Sequence, residues 1–195
     1  MDSSFIRKWN GNTIMTVENA LSNQFLNEVE NYSTKSIEAT IGKNQEKIDI
    51  IRSCKVGWIN SKEVKSKVSK IVEILGKDVF GYDMFEEGIE PIQYTTYSYN
   101  KNRLYKDHYN WHMDSSFEDF GNTDRKLSFS LQLSEPEEYG GCNLEFFGAK
   151  GLDKNVFRAK GTLVIFPSFM YHKVTPIERG VRKVLVGWVR GPKFK

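Results

Sequence analysis

Three residues in the C-terminal half of the chain have side chains that could hold a metal ion together. His112 and Asp114 lie two positions apart, and His172 follows about sixty positions later. Two imidazoles and one carboxylate are the ligand set of facial iron(II) sites, which leave three coordination positions open. Side chains at positions i and i+2 of a strand point to the same side, so Met113 would face away from the ion.

Chance remains an alternative for each of these residues. A His-x-Asp tripeptide is a weak motif, and a lone histidine is more often a core or surface residue than a ligand. The chain contains only three histidines, and His108 lies four positions before His112 on a segment without a regular pattern. His108 lacks the i, i+2 relation, so we predict that it binds no metal.

Arg182 is the next candidate for chemistry, ten residues after His172. Strand alternation would place it on one face with Val184, Val186 and Trp188. A guanidinium is costly to bury without an anionic partner, and a carboxylate can accept two of its N–H groups. We therefore expect Arg182 to hold a carboxylated co-substrate. The alternative is a salt bridge to an Asp or Glu of the protein.

The segments that must position these residues are predicted to be mainly strands. Seven short segments rich in β-branched and aromatic residues follow residue 51, separated by Gly, Pro, Asn and Asp, and this pattern is typical of a β-sandwich or jelly roll. They cover residues 52–59, 92–99, 126–133, 143–147, 162–166, 171–174 and 184–189. Gly140 and Gly141 predict a turn.

Two helices are predicted before most of these strands. Residues 16–32 place Leu21, Phe25 and Val29 on one apolar face. Residues 61–75 form the stronger prediction, with Asn60 or Ser61 as the N-terminal cap and Gly76 as a left-handed residue that ends the helix. We expect both helices to pack against one sheet of the C-terminal barrel.

Length and composition indicate one globular domain. With 195 residues, 39% hydrophobic and 27% charged, the chain can bury a substantial core. We predict a single domain over residues 1–195, with helical support and outer strands in 1–90 and a catalytic jelly-roll core in 91–195. The net charge of +3 is too small to indicate a nucleic-acid partner.

Several features favour a cytoplasmic protein without membrane contact. No stretch approaches the roughly 20 consecutive apolar residues that a membrane span needs. The first four residues lack the basic and apolar run of a secretion signal. Cys54 and Cys142 are the two cysteines, and their separation predicts free buried thiols in a reducing compartment.

Residues from about 92 to 190 resemble the iron(II)- and 2-oxoglutarate-dependent dioxygenases, and within them the prolyl 4-hydroxylase-like group. The resemblance covers about half of the chain, and the motifs occur in the expected order. They are Tyr94-Thr95-Thr96-Tyr97, His112-x-Asp114, residues 127–134, Gly140-Gly141, Leu144-Glu145-Phe146, residues 161–166, His172-x-Val174 and Gly180-x-Arg182.

The resemblance implies an α+β, mainly β fold: a double-stranded β-helix, or jelly roll, whose open end holds the iron, with N-terminal supporting helices. It implies Fe(II), 2-oxoglutarate and O2, and it admits ascorbate as an additional reductant. Tyr97 would bond the co-substrate carboxylate beside Arg182, with Tyr94 and Tyr99 as competitors. Gln132 and Ser128 would add polar contacts, although a tyrosine or threonine is more usual in the family than Gln132.

The activity implied by the resemblance is hydroxylation of an unactivated C–H bond, with release of succinate and CO2. Because Asp114 fills the position that a halide takes in related halogenases, hydroxylation is favoured over halogenation. A prolyl residue in a peptide or protein is the favoured target.

The substrate contacts are expected in a long connection from residue 98 to 111. Long loops without secondary structure are often functional. This one would be mobile and close over a peptide. Its candidates are Trp111, Arg103, Tyr99 and Tyr109. The alternative is a surface loop whose aromatic side chains are tucked against the barrel.

Other functions stay open at this point. One is the same chemistry on a free small molecule or a modified nucleobase. Nucleic-acid demethylases of this class typically carry a second arginine six positions after the first, where this chain has Trp188. Another is a non-catalytic jelly-roll binding module, which would have no need for both the metal trio and Arg182.

Overall fold

The computed structural model describes residues 6–40, 48–86, 88–115 and 122–193. The first four residues, on which the absence of a secretion signal was predicted, lie outside these ranges. The described strands are β1 (Ile6–Trp9), β2 (Ile14–Val17), β3 (Ile37–Glu38), β4 (Arg52–Ser53), β5 (Lys55–Trp58), β6 (Gln93–Ser98), β7 (His108–His112), β8 (Thr123–Gln132), β9 (Tyr139–Gly141), β10 (Leu144–Phe146), β11 (Leu163–Pro167), β12 (His172–Val174) and β13 (Ile177–Pro192). The helices are α1 (Asn23–Glu28), α2 (Lys62–Leu75) and α3 (Lys154–Arg158).

Two antiparallel sheets are built from these strands. In the described residues the larger sheet has the order β1-β2-β11-β8-β13-β6-β5-β3, with β9 paired to β13. The smaller sheet has the order β10-β12-β7-β4. The mainly β fold predicted from the sequence is therefore confirmed, and strands from before residue 90 take part in both sheets.

Apolar side chains fill the space on both sides of the larger sheet. On its outer side, Val64, Val68 and Leu75 of α2 pack with Leu127 and Phe129 of β8. Between the two sheets, a second cluster contains Tyr97, Val184, Val174 and the two cysteines. The helices thus support the larger sheet as predicted, and no described helix has the length and apolar character needed to cross a membrane.

Helix α2 begins as the sequence predicts. The Ser61 side chain accepts a hydrogen bond from the backbone N–H of Val64, which satisfies one of the free N–H groups at the helix start. The predicted end was wrong. Gly76 is right-handed, with φ −61°, and a π-helical turn continues over Gly76–Phe80 before Gly81 takes the left-handed conformation at φ 63°.

The predicted helix over residues 16–32 was also wrong in its first half. Strand β2 occupies Ile14–Val17 and pairs with β1 and β11. Asn19 has a positive φ of 51°, and α1 begins only after Ser22, whose side chain accepts from the Phe25 N–H. The apolar spacing of Leu21, Phe25 and Val29 is real but comes from a turn followed by a short helix.

Two segments predicted as irregular contain strands. Gly140 and Gly141 lie in β9 and not in a simple turn. Gly141 has φ 66°, and a Cβ there would lie 2.3 Å from the Pro176 carbonyl oxygen, so the pairing of β9 with β13 needs a glycine. The connection over 98–111 was expected to be irregular throughout, but β7 begins at His108 and forms its last part, because residues of β7 pair with β12 and β4.

Candidate metal centre

His112 and His172 face each other across two neighbouring strands. His112 is the last residue of β7, His172 is the first of β12, and the two are directly paired in the sheet. Asp114 lies just past the end of β7, where its backbone N–H donates to the Ser168 carbonyl at 2.9 Å. The strand ends before Asp114, so this backbone contact and not a continuous strand directs its carboxylate.

The ligand atoms of these three residues converge on one point. His112 Nε2 lies 3.6 Å from Asp114 Oδ1, and His172 Nε2 lies 3.5 Å from Asp114 Oδ2. All three potential ligand atoms lie within 4.8 Å of one another. The separation suits three bonds of about 2 Å to a single ion at the centre.

The backbone sets the orientation of both imidazole rings. His112 Nδ1 lies 2.7 Å from the Asn110 carbonyl oxygen, and His172 Nδ1 lies 2.9 Å from the Met170 carbonyl oxygen. A carbonyl can only accept, so Nδ1 carries the proton and donates in each ring. The Nε2 lone pairs are then free for a metal, which is the tautomer that ligand histidines need.

The charges of the site also favour a metal ion. Burial, followed by the influence of His172, lowers the pKa of His112 to about 4, so the imidazole is neutral at neutral pH. Burial alone would raise the pKa of Asp114, but His172, His112 and hydrogen bonding outweigh it and the net shift is downward. A neutral His112 imidazole beside an ionised carboxylate fits a divalent cation.

Ser128 contacts this carboxylate. Its hydroxyl donates to Asp114 Oδ2 at 2.7 Å and lies 2.9 Å from the Ser168 hydroxyl. The sequence predicted a co-substrate contact for Ser128. In the structure the partner of Ser128 is Asp114, one of the three potential metal ligands.

His108 lies apart from the three converging side chains. Its Nδ1 is 2.7 Å from the Lys106 carbonyl oxygen, and its Nε2 is 3.1 Å from the Ile50 carbonyl oxygen. Both ring nitrogens therefore face backbone oxygens and not the centre formed by His112, Asp114 and His172.

Arg182 lies inside the barrel, with only 4% of its surface exposed. Its Nε donates to Gln132 Oε1 at 3.0 Å, and its Cζ lies 5.7 Å from the centre of the Tyr97 ring. Nowhere in the described ranges does an Asp or Glu pair with it. The described residues therefore do not contain the salt bridge that was the alternative role for Arg182.

The three tyrosines considered for the co-substrate occupy different places. Tyr97 is buried between the sheets and is paired with Arg182 across β6 and β13. Tyr94 lies in the core cluster on the other side of the larger sheet. Tyr99 is 42% exposed, with the Lys106 ammonium 5.8 Å from its ring centre. Only Tyr97 shares the interior with Arg182.

A β-bulge in β7 determines which of the aromatic candidates for substrate contact points to the inner side. His172 pairs with His112, but Val174 pairs with Tyr109, so β7 has one extra residue between the two pairs. Tyr109 therefore points to the inner side, where its ring stacks on His112 with centres 3.5 Å apart.

Trp111 points to the outer side of the smaller sheet. Its ring lies 5.7 Å from that of Phe147 and is stacked 6.0 Å from that of Tyr171. The Lys173 ammonium lies 4.7 Å from the centre of the same ring. The sequence predicted Trp111 as a substrate contact by packing. Strand alternation places it on the face opposite His112, and this position does not favour that contact.

Arg103 is held by the protein itself. Its guanidinium pairs with Asp107 at 2.5 Å and with Glu38 at 2.9 Å. Asp107 is buried and also accepts from the Ser53 hydroxyl and the Ser98 backbone N–H. These contacts tie residues 99–107 to both sheets, so Arg103 has no free guanidinium for a substrate and the segment is anchored.

Two residues near the centre were missed as contacts by the sequence reasoning. Arg52 lies on β4, with its Cζ 4.7 Å from the centre of the Tyr109 ring. Trp188 lies under Arg125, whose Cζ is 3.9 Å from its ring, and close to Asp114. Its buried indole N–H has no hydrogen-bond acceptor among the described residues. Strand alternation with Arg182 could have identified Trp188, whereas Arg52 has no local signal.

Comparison with known families agrees with this centre. Residues 93–190, about half of the chain, match the family model of the 2OG-Fe(II) oxygenase superfamily. The chain belongs to this superfamily, whose cofactors are Fe(II) and 2-oxoglutarate. The match includes His112, Asp114, His172 and Arg182.

The sequence is similar to several PKHD-type hydroxylases. One from Synechococcus sp. (strain CC9902) is 41% identical over 83 residues, which cover 43% of this chain and 36% of that protein. One from Crocosphaera subtropica is 27% identical over 189 residues, which cover 90% of this chain and 78% of that protein. The stronger match therefore spans little more than a third of the relative's length.

The fold is similar to that of solved prolyl hydroxylases. A prolyl hydroxylase from Trichoplax adhaerens, in complex with a peptide fragment of hypoxia inducible factor, superposes with a TM-score of 0.68 at 17% identity. The similarity covers 92% of this chain and 84% of that one. The jelly-roll fold predicted from the sequence is confirmed.

Proposed function

We propose that the chain is an Fe(II)- and 2-oxoglutarate-dependent hydroxylase that acts on a prolyl residue of a peptide or protein. One observation carries the proposal. The ligand atoms of His112, Asp114 and His172 converge within 4.8 Å, and Arg182 is buried in the same barrel without an acidic partner among the described residues. A binding module without catalytic activity would need neither feature.

His112, Asp114 and His172 would hold the Fe(II), and Arg182 with Tyr97 would hold the far carboxylate of 2-oxoglutarate. When bound, Fe(II) and 2-oxoglutarate supply the O2-dependent conversion of a C–H bond to C–OH, with succinate and CO2 as the other products. Arg182 can bind a carboxylate through the N–H groups that Gln132 leaves available, in the bidentate manner of a guanidinium.

Neighbouring residues keep these groups in place. Gln132 accepts from Arg182 Nε and so fixes the plane of the guanidinium. Ser128 donates to Asp114 and leaves its Oδ1 directed to His112. Both serve as positioning residues, because each acts through a side chain that would touch the metal or the co-substrate.

The proposed prolyl target rests on the relatives and on the surroundings of the metal ligands. Prolyl hydroxylases share the fold, and one of them was solved with a peptide. In this chain Tyr109 lies on His112 and Trp188 lies beside Asp114. Flat aromatic surfaces beside the metal ligands suit the ring of a proline, as they do in other proline-binding proteins.

The test is turnover of a peptide panel. Protein, Fe(II), 2-oxoglutarate and O2 are incubated with proline-containing peptides, with matched peptides that carry alanine at the target position, and with free proline. We expect a mass gain of one oxygen on a prolyl residue, together with an equal amount of succinate. Oxygen gain on free proline alone would contradict the peptide target, and absence of succinate under all conditions would contradict the hydroxylase itself.

A further inference from the structure

A second arginine in the interior has no carboxylate partner among the residues that the structure describes. Arg52 is partly buried on β4, at the edge of the smaller sheet. Its Nη2 donates to Gln93 Oε1 at 3.2 Å and its Nε to Cys54 Sγ at 3.3 Å. In residues 6–40, 48–86, 88–115 and 122–193, no acidic side chain pairs with it, and its Nη1 donates to no protein acceptor.

Arg52 is directed towards the metal ligands. Its Cζ lies 4.7 Å from the centre of the Tyr109 ring, and that ring stacks on His112 with centres 3.5 Å apart. The guanidinium of Arg52 therefore lies beside a ring that contacts one of the potential metal ligands. Arg52 is only partly buried, so part of its surface is open to solvent.

Arg103 shows how this part of the fold treats an arginine with a structural role. Arg103 lies close by, because its Nη1 donates to the hydroxyl of Ser53, the residue next to Arg52. It pairs with both Asp107 and Glu38. Arg52 has only an amide oxygen and a thiol, which compensate poorly for the loss of water around a full positive charge.

The co-substrate does not account for Arg52. A molecule of 2-oxoglutarate has two carboxylates, one for the metal and one for Arg182 under the proposed function. Both are then used on other residues, and the guanidinium of Arg52 is left for an anion that arrives with the other reactant.

We propose that Arg52 is a second carboxylate-binding residue of the site and that it binds an acidic group of the substrate. The inference rests on the proposed function for the identity of the reaction, and it adds the substrate class: a molecule with a carboxylate near the carbon to be hydroxylated. In a peptide the carboxylate would be the side chain of an Asp or Glu beside the target. In a small molecule it would be the free α-carboxylate.

The first test compares the stability of two variants of the free protein in urea. Arg103→Gln removes a guanidinium from two carboxylates and leaves Asp107 buried, so its unfolding midpoint should fall clearly. Arg52→Gln removes a charge that lacks an anionic partner, so its midpoint should fall much less or rise. An equal fall in both variants would show that Arg52 is a structural residue and would overturn the proposal.

The second test measures binding to the protein loaded with Fe(II) and 2-oxoglutarate in the absence of O2. The probes are acetylated, amidated pentapeptides with a central proline that carry either glutamate or glutamine beside it, on each side in turn. Calorimetry should show the glutamate peptide binding roughly ten- to hundredfold more tightly. The preference should fall to near one in Arg52→Gln.

Free proline provides the arm for a small substrate. One outcome is that free proline binds the wild type and loses affinity in Arg52→Gln while the peptides show no preference for glutamate. In that case the carboxylate at Arg52 is a free α-carboxylate, and the proposal stands in that form. A wild type that prefers no carboxylate in either arm overturns it. So does a 2-oxoglutarate titration that shifts in Arg52→Gln as much as in Arg182→Gln. A wild type that forms no succinate contradicts the proposed function, and the binding comparison still decides the role of Arg52.

Discussion

The two faces of the smaller sheet differ in what their side chains can do. The inner face carries His112, His172 and Tyr109, and the His112 ring contacts the other two. The outer face carries Trp111 and Tyr171, with Phe147 and Lys173 beside them. Adjacent residues in the sequence therefore have unrelated roles, and position along the strand decides which side chains can reach the metal.

The bulge in β7 interrupts the simple alternation of side chains between the two faces of the smaller sheet. Without it, Tyr109 and His112, three positions apart, would lie on opposite faces. The extra residue in β7 brings both to the inner side. An aromatic side chain thereby contacts a metal ligand, although sequence spacing alone would have put it in solvent.

The largest expected effect distinguishes His172 on β12 from His108 on the neighbouring strand β7. His172→Ala should abolish iron binding and succinate formation, because one of three converging ligands is lost. His108→Ala is the matched control and should keep both, since its ring faces two backbone carbonyls. Metal content by mass spectrometry and succinate assays measure the outcome, and full turnover in His172→Ala would refute the assignment.

The next largest effect is expected at Arg182, on β13 of the larger sheet. Arg182→Ala should raise the 2-oxoglutarate concentration for half-maximal succinate formation roughly ten- to hundredfold, because a charge-assisted bond worth about 1.5–3 kcal/mol is lost. Arg182→Lys should recover part of the loss, since the charge remains but the fork does not. Iron content should be retained in both, and an unchanged titration in Arg182→Ala would point to another cation.

A smaller effect tests the two faces directly. Tyr109→Ala should lower peptide hydroxylation relative to uncoupled succinate formation by roughly tenfold, from the loss of an aromatic contact worth about 1 kcal/mol or more. Trp111→Ala removes a ring of similar size from the outer face, and its ratio should stay within about twofold of the wild type. A larger loss in Trp111→Ala than in Tyr109→Ala would reverse the assignment of the faces.

The smallest effect is expected at the buried thiols. Burial raises the pKa of Cys142 from 9.0 to about 11, so its reactive thiolate is scarce at pH 8. Iodoacetamide should label Cys142 and Cys54 in unfolded protein and hardly at all in the native state, as mass spectrometry would show. The pKa of Cys142 is higher in the folded than in the unfolded protein. The contribution of this thiol to the free energy of unfolding is therefore fully present below pH 9.0 and is lost as the pH rises through about 11. Rapid labelling of native protein at pH 8 would contradict the burial.

The sequence predicted the residues with strong local or short-range patterns. His112 and Asp114 could be paired from their spacing, the inward direction of Arg182 followed from alternation on β13, and the start of α2 followed from its capping serine. His172 depended on the order of the strands. Each of these patterns is a property of one segment or of a known succession of segments.

The remaining features depend on contacts between distant segments. Arg52 approaches Tyr109 because β4 pairs with β7, some fifty-seven positions further along the chain. The bulge that brings Tyr109 to the inner face has no local residue signature. Arg103 was interpreted as a substrate contact from its place in the segment before His112. Its pairing with Glu38, sixty-five positions earlier, left no trace in the sequence. Pairing partners of this kind cannot be identified from composition or periodicity.

The backbone hydrogen bonds of the two ligand histidines determine when the site acquires its order. Each Nδ1–H donates to the carbonyl two residues earlier on its own chain segment, so the rings are oriented as soon as the strands form. The rotational entropy of both imidazoles is therefore lost during folding and not during metal uptake. Iron then binds to an arrangement that needs little further ordering, which favours both its affinity and the speed of its association.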